Sequence, residues 1–146
     1  MKKFVYVDCG TYPFHLLVFV GMTNKEMAKK AESFTGMVLT GEEKSHLDQH
    51  ARGRALYFPR IRLSIIIMRD FKTDYEWLSV LAHEIVHAVH SIFDEIKLRI
   101  SDGSEEAFTY QVEYLTRGVL KKLLADDGGK DVESERKRTK NTKGRK

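Results

Sequence analysis

The strongest constraint on the fold is a nearly unbroken apolar run in the middle of the chain. Residues 63–68 read Leu-Ser-Ile-Ile-Ile-Met. Such a run is typical of a strand in a buried position of a sheet. Shorter runs at residues 3–7, 14–20 and 54–58 are rich in apolar residues and predict three further strands. The sequence therefore predicts a small sheet in the first half of the chain.

Helical patterns follow the predicted strands. A charged segment at residues 25–34 predicts a surface helix, and two longer helices are predicted over residues 74–96 and 102–125. Thr73 or Asp74 is expected to cap the first long helix, and the second opens with the D-x-x-E form of a capping box. We therefore predict an α+β fold, in which a small mixed or antiparallel sheet packs on two long C-terminal helices.

The charge is unevenly distributed along the chain. The formal net charge is +4, yet residues 130–146 alone hold eight Lys or Arg against three acidic residues. This C-terminal segment is poor in apolar residues, a composition typical of disorder. We predict one domain over residues 1–127 and a basic, disordered tail over residues 128–146.

Composition and patterning favour the cytoplasm. The single cysteine, Cys9, cannot form a disulfide within the chain, which indicates a reducing compartment. The apolar run after the first three residues is broken by Asp8 and Pro13 before it becomes a signal sequence. A long stretch without Lys or Arg, residues 74–96, contains Asp, Glu and three His, so no membrane span is expected.

An H-E-x-x-H motif, His83-Glu84-Ile85-Val86-His87, lies inside the first long helix. Residues four apart lie on one helix face about one turn apart, so the imidazoles of His83 and His87 can converge on one Zn²⁺. Glu84 projects about 100° round the helix from His83, beside the metal, where the general base for a bound water belongs. The motif predicts a zinc site with Glu84 as a catalytic residue.

The remainder of this helix supports the same interpretation. Its apolar residues cover more than half of the circumference and leave one polar stripe, made of Ser79, His83, His87, His90 and Asp94. A solvated helix face is normally built from Lys, Glu and Arg. This stripe has no Lys or Arg and holds three of the six histidines, which favours a functional face.

A catalytic zinc needs a third protein ligand, and the second long helix offers one. Eighteen residues separate His87 from Glu106, which lies in the first turn of a helix that can fold back on the first. Glu105 is the alternative, although on the helical wheel it points nearer the apolar arc. The spacing favours Glu106, and the wheel does not exclude Glu105.

Residues 81–88 and 105–115 together resemble the gluzincin pattern, in which a Glu follows H-E-x-x-H after some eighteen or nineteen residues. The sequence is most similar to compact zinc metallopeptidases often encoded by bacteriophages, where an E-A-x-x-Y segment follows, and the resemblance covers roughly residues 62–120. It implies a minimal zincin-like metallopeptidase domain in which His83, His87 and Glu106 bind zinc and Glu84 is the acid/base. The expected substrate is a peptide or protein, in the host cytoplasm if the protein is phage-encoded.

Tyr110 is a second candidate catalytic residue. It lies one turn beyond Glu106 on the same stripe, so its hydroxyl can donate to a zinc ligand or to an oxyanion. The alternative is an ordinary tyrosine of a helix interface.

Two other function classes remain open. The chain is short and has no recognisable specificity lobe, so a catalytically silent, zinc-stabilised binding protein is one alternative. The other is weak recruitment of nucleic acid or an acidic partner through the basic tail. The tail has no aromatic residue for base stacking, which instead favours a solubilising end.

Overall fold

A computed structural model of the chain describes residues 1–48 and 51–125. Its elements, in chain order, are β1 (Lys3–Asp8), β2 (His15–Val20), α1 (Asn24–Thr35), α2 (Gly41–Ser45), β3 (Gly53–Phe58), a 3₁₀ turn (Pro59–Ile61), β4 (Leu63–Met68), α3 (Tyr75–Glu95) and α4 (Glu105–Leu124). The predicted α+β class and its two long C-terminal helices are confirmed. The predicted basic tail and the predicted domain end at residue 127 lie outside the described residues.

The four strands form one mixed sheet in the order β1-β2-β4-β3. β1 and β3 are antiparallel to their neighbours, whereas β2 and β4 are parallel. All six residues of β4 are buried, which explains the apolar run that the sequence shows there. β3 lies at one edge of the sheet, so only one of its sides is paired within it.

Both faces of the sheet are covered. Leu16, Val18 and Ile66 belong to the core that includes buried residues of α3 and α4, whereas Leu17 and Ile65 belong to a second core. Buried side chains of α1 belong to that second core. The helix predicted as a surface helix therefore covers the second face of the sheet, and α3 and α4 cover the first.

The ends of the long helices follow from local hydrogen bonds. Asp74 caps α3, and its carboxylate accepts from the backbone N–H of Trp77 at 3.1 Å. The predicted capping box at the start of α4 is wrong, because Ser104 is the N-cap residue and α4 begins at Glu105. The Ser104 hydroxyl instead donates to the carbonyl of Arg99. No helix in the described part of the chain is long and apolar enough to cross a membrane.

We predict that Ser64→Ala raises the free energy of unfolding by about 1 kcal/mol. Ser64 is 0% exposed, and its hydroxyl has no hydrogen-bond partner among the described residues, so the substitution removes an unsatisfied polar group. Chemical denaturation measures the change. Leu63→Ala, at a buried apolar position of the same strand, is the control and should cost about 2–5 kcal/mol. A loss of stability in Ser64→Ala would contradict the prediction.

Candidate metal centre

His83 and His87 are brought together on the exposed face of α3. Their Nε2 atoms lie 3.0 Å apart, and their rings meet edge to face with centroids 4.6 Å apart. Two imidazole nitrogens bound to one tetrahedral zinc at about 2.0–2.1 Å are about 3.3 Å apart. The two nitrogens therefore fit a shared zinc with little adjustment, and the helix itself provides their spacing.

Glu84 lies between α3 and the sheet rather than in solvent. Its exposure is 8%, whereas His83 and His87 are both exposed. The difference follows from its position about 100° round the helix from His83. Packing against the sheet thus holds the Glu84 side chain in place, and its role as the base beside a metal stays a prediction.

Gly53, the first residue of β3, brings the edge strand against Glu84. A Cβ atom at this position would lie 2.5 Å from Cγ1 of Val80, 3.0 Å from Cγ of Glu84 and 3.2 Å from its Oε1. Only a residue without a side chain permits such an approach. Sequence reasoning assigned no role to Gly53, and the only available signal was a glycine directly before a predicted strand.

A cavity of about 340 Å³ opens beside this contact. It is lined by Arg52, Gly53, Ser79, Val80, His83 and Glu84. One wall comes from the start of β3 and the other from α3. The cavity therefore gives access to Glu84 and to the ring of His83 from the edge of the sheet.

The free edge of β3 faces this region with unpaired backbone groups. The Arg69 N–H donates to the Arg52 carbonyl at 3.1 Å, and paired residues alternate along antiparallel strands. The N–H and C=O groups of Gly53, Ala55 and Tyr57 therefore point away from β4. Within the described ranges, no backbone hydrogen bond from outside the sheet reaches these three residues.

The third ligand predicted from the sequence does not join the histidine pair. Glu105 and Glu106 are both exposed, and no group of three or more His, Cys, Asp or Glu in residues 1–48 and 51–125 is placed to hold a metal. Phe108 packs edge-on against Phe93, with ring centroids 5.5 Å apart, which places the start of α4 beside the end of α3. Phe93 lies about 9 Å along the helix axis from His87. Glu106 as a zinc ligand stays a prediction.

Tyr110 lies next to Glu106, as the one-turn spacing predicts. Its hydroxyl donates to Oε1 of Glu106 at 3.3 Å, and the side chain is exposed. The pair therefore forms a small polar unit on the surface of α4. A role of Tyr110 in catalysis stays a prediction.

Cys9 does not belong to the site. It is 0% exposed, and burial, followed by the negative charge of Asp8, raises the pKa of its thiol to about 12. The thiol therefore stays protonated at neutral pH and is a poor nucleophile.

No protein-family model matches the chain, and comparisons with characterised proteins and with solved structures find no match either. The resemblance to gluzincins thus remains an expectation from the sequence motifs. The candidate site is therefore described by the geometry of α3, of the edge strand β3 and of the first turn of α4.

We predict that Gly53→Ala lowers the free energy of unfolding by about 1–3 kcal/mol, because Val80 and Glu84 must move to admit the new methyl group. Chemical denaturation of the purified variant measures the loss. Gly41→Ala is the matched control, since a Cβ there would meet nothing within 4 Å. Equal stabilities of the two variants would contradict the close approach described here.

Proposed function

We propose that the protein is a zinc-dependent hydrolase that cleaves peptide bonds. One observation carries this proposal: two histidine Nε2 atoms lie 3.0 Å apart on α3, and one of these histidines, His83, lines a cavity with the buried Glu84 at an open sheet edge. Metal ligands and a general base at this spacing are what metal-assisted hydrolysis needs.

His83 and His87 would hold the zinc through their Nε2 atoms. When bound, the zinc lowers the pKa of a coordinated water toward about 7 and polarises a carbonyl group. The Glu84 carboxylate takes a proton from the attacking water and passes it to the leaving amine. The packing of Gly53 against Glu84 limits the positions that this carboxylate can occupy.

The edge of β3 supports a peptide as the substrate. Gly53, Ala55 and Tyr57 present backbone N–H and C=O groups outward, which an extended peptide can pair with as an added strand. Main-chain hydrogen bonds of this kind recognise the peptide backbone, whatever its side chains. A peptide paired with β3 would also run alongside α3, which carries the two histidines.

For the third ligand we propose Glu106, with Glu105 as the alternative. Both carboxylates are exposed in the first turn of α4, so neither side chain is itself part of a buried contact. The hydrogen bond from Tyr110 supports Glu106, because a ligating carboxylate is commonly oriented by such a partner.

A second candidate function is a zinc-stabilised binding protein without catalysis. The observation that favours it is that only two ligating side chains converge among the residues that the structure describes. The same β3 edge would then bind a peptide without cleaving it. Partner binding through the basic tail stays a prediction from sequence, as does the cytoplasmic location.

We expect the purified protein to contain about one zinc per chain and to hydrolyse peptide bonds in a denatured protein mixture. Glu84→Gln should retain the zinc and lose hydrolysis by about 100-fold or more, since it removes the base but no ligand. Metal analysis and mass spectrometry of the products measure both. Glu42→Gln, on exposed α2, is the control for a lost surface charge.

Retained zinc with no detectable hydrolysis by the wild-type protein would favour the binding protein instead. A folded protein that takes up no zinc would exclude both functions. His83→Ala and His87→Ala should each lose the metal. His46→Ala changes an exposed histidine at the end of α2 and should keep it.

We predict that Glu106→Gln weakens zinc binding by about 10-fold or more, whereas Glu105→Gln leaves it nearly unchanged. An amide is a poorer zinc ligand than a carboxylate, and the two residues are neighbours with similar exposure. Competition with a zinc chelator measures the affinities. The reverse order of effects would assign Glu105 as the ligand, and no effect in either variant would exclude both.

A further inference from the structure

The other edge of the sheet, formed by β1, carries a row of aromatic rings. Phe4 and Tyr6 pack against the core that α1 covers, and both side chains are only partly buried. The ring of Phe4 stacks on that of Phe19, with centroids 5.3 Å apart. Phe34 of α1 extends the row, since its ring centroid lies 4.5 Å from that of Tyr6. Three partly exposed aromatic side chains are thus held in place along the outer strand.

Two lysines from different helices lie over these rings. Nζ of Lys30, on α1, is 5.6 Å from the ring centroid of Phe4, and Nζ of Lys122, on α4, is 5.6 Å from that of Tyr6. α1 and α4 cover opposite faces of the sheet, so the two ammonium groups reach β1 from both sides of its outer edge. Phe4 and Tyr6 are two residues apart on one strand, a distance of about 7 Å. We call the surface formed by Phe4, Tyr6, Phe34, Lys30 and Lys122 the β1 rim.

Carboxylates around the β1 rim do not balance its lysines. The two acids of α1 are each engaged by another lysine at 2.8 Å, Glu26 by Lys2 and Glu32 by Lys44. Asp8 lies at the end of β1, where it accepts a hydrogen bond from the Tyr6 hydroxyl at 3.3 Å. Four lysines of α1 and α4 are exposed and form no ion pair within the described residues: Lys25, Lys29, Lys30 and Lys121. The surface around the β1 rim therefore carries an excess of positive charge.

The chain leaves α4 beside the same rim. The Lys3 ammonium donates to the carbonyls of Leu123 and Ala125 at 2.9 Å, so the end of α4 lies against the start of β1. In the sequence, eight Lys or Arg and three acidic residues follow at positions 130–146. The sequence thus adds positive charge directly after a surface that is already basic.

Aromatic rings beside lysines are what a single strand of nucleic acid needs for binding. Its unpaired bases stack on aromatic side chains, and its phosphates pair with cations. The bases of a duplex are already stacked on each other, so a duplex gains mainly the charge contacts. The basic tail has no aromatic residue and offers charge alone. The β1 rim offers both kinds of contact within a few ångströms.

We propose that the β1 rim binds single-stranded nucleic acid. The flexible side chains of Lys30 and Lys122 turn from the rings to pair with phosphates of the strand, and its bases stack on Phe4 and Tyr6. The rim lies at the opposite edge of the sheet from the candidate metal centre. The proposal therefore does not depend on the proposed hydrolysis, and a strand of nucleic acid at β1 leaves the β3 edge accessible.

The first test is fluorescence anisotropy of labelled oligothymidylate and oligouridylate, each of about 20 nucleotides, with the whole chain. We expect both to bind. Lys30→Ala/Lys122→Ala should weaken their binding by about 10-fold at low salt and reduce the slope of log K against log salt by about 1.4, because two phosphate contacts are lost. Lys97→Ala/Arg99→Ala removes the same charge from the loop beside the end of β3 and should change neither quantity.

The second test separates base stacking from attraction of charge. Tyr6→Leu should weaken binding of the single strands by about 10-fold and leave binding of a duplex of equal length unchanged, because only unpaired bases stack on the ring. Tyr6→Phe keeps the ring and should bind like the wild-type protein. Phe4→Leu is a second ring substitution with the same expectation as Tyr6→Leu, and circular dichroism checks that each variant keeps the fold.

Three results would overturn the proposal. Unchanged binding by Lys30→Ala/Lys122→Ala would assign the binding to the basic tail, which is the same in every variant. Equal losses for single strands and duplex in both ring variants would leave only attraction of charge. Binding to vesicles that contain phosphatidylserine, without binding to either oligonucleotide, would assign the rim to a membrane surface instead.

Discussion

The close approach of β3 to α3 at Gly53 is the contact on which the candidate site depends. With no side chain at this position, the edge strand packs directly on Val80 and Glu84. One turn of α3 therefore presents two different environments: His83 and His87 face solvent, where a metal can reach them, and Glu84 is buried against a backbone. The close approach of the strand therefore restricts the positions that the Glu84 side chain can occupy.

The position of β3 at the edge follows from the sheet as a whole. β4 is buried on both faces and is paired with β2 on one side and β3 on the other. β3 is therefore the last strand of the sheet, and the backbone groups on its outer side have no strand to pair with. Exposed edges of this kind attract other strands, and proteins usually protect them. Here α3 runs past the edge, and cavities open at both ends of β3. The same exposed backbone thus serves the proposed hydrolysis.

Local patterns in the sequence predicted the elements well, because each depends on its own residues. The apolar run of β4, the helical period of α3 and the i, i+4 spacing of its histidines are properties of short segments, and the structure confirms all three. The role of Gly53 was not predictable in this way. Gly53 matters because of Val80 and Glu84, which are distant in sequence.

The third zinc ligand also depends on more than local sequence. Counting residues from His87 to Glu106 gives a family-like spacing, but where α4 starts in space depends on the loop between the helices and on how the helices pack. The contact between Phe93 and Phe108 sets the start of α4 beside the end of α3. A zinc held by His83, His87 and Glu106 must therefore draw the first turn of α4 toward the histidines, against this aromatic contact. Zinc affinity and the packing of Phe108 are then coupled, because any weakening of that contact lowers the cost of completing the metal centre.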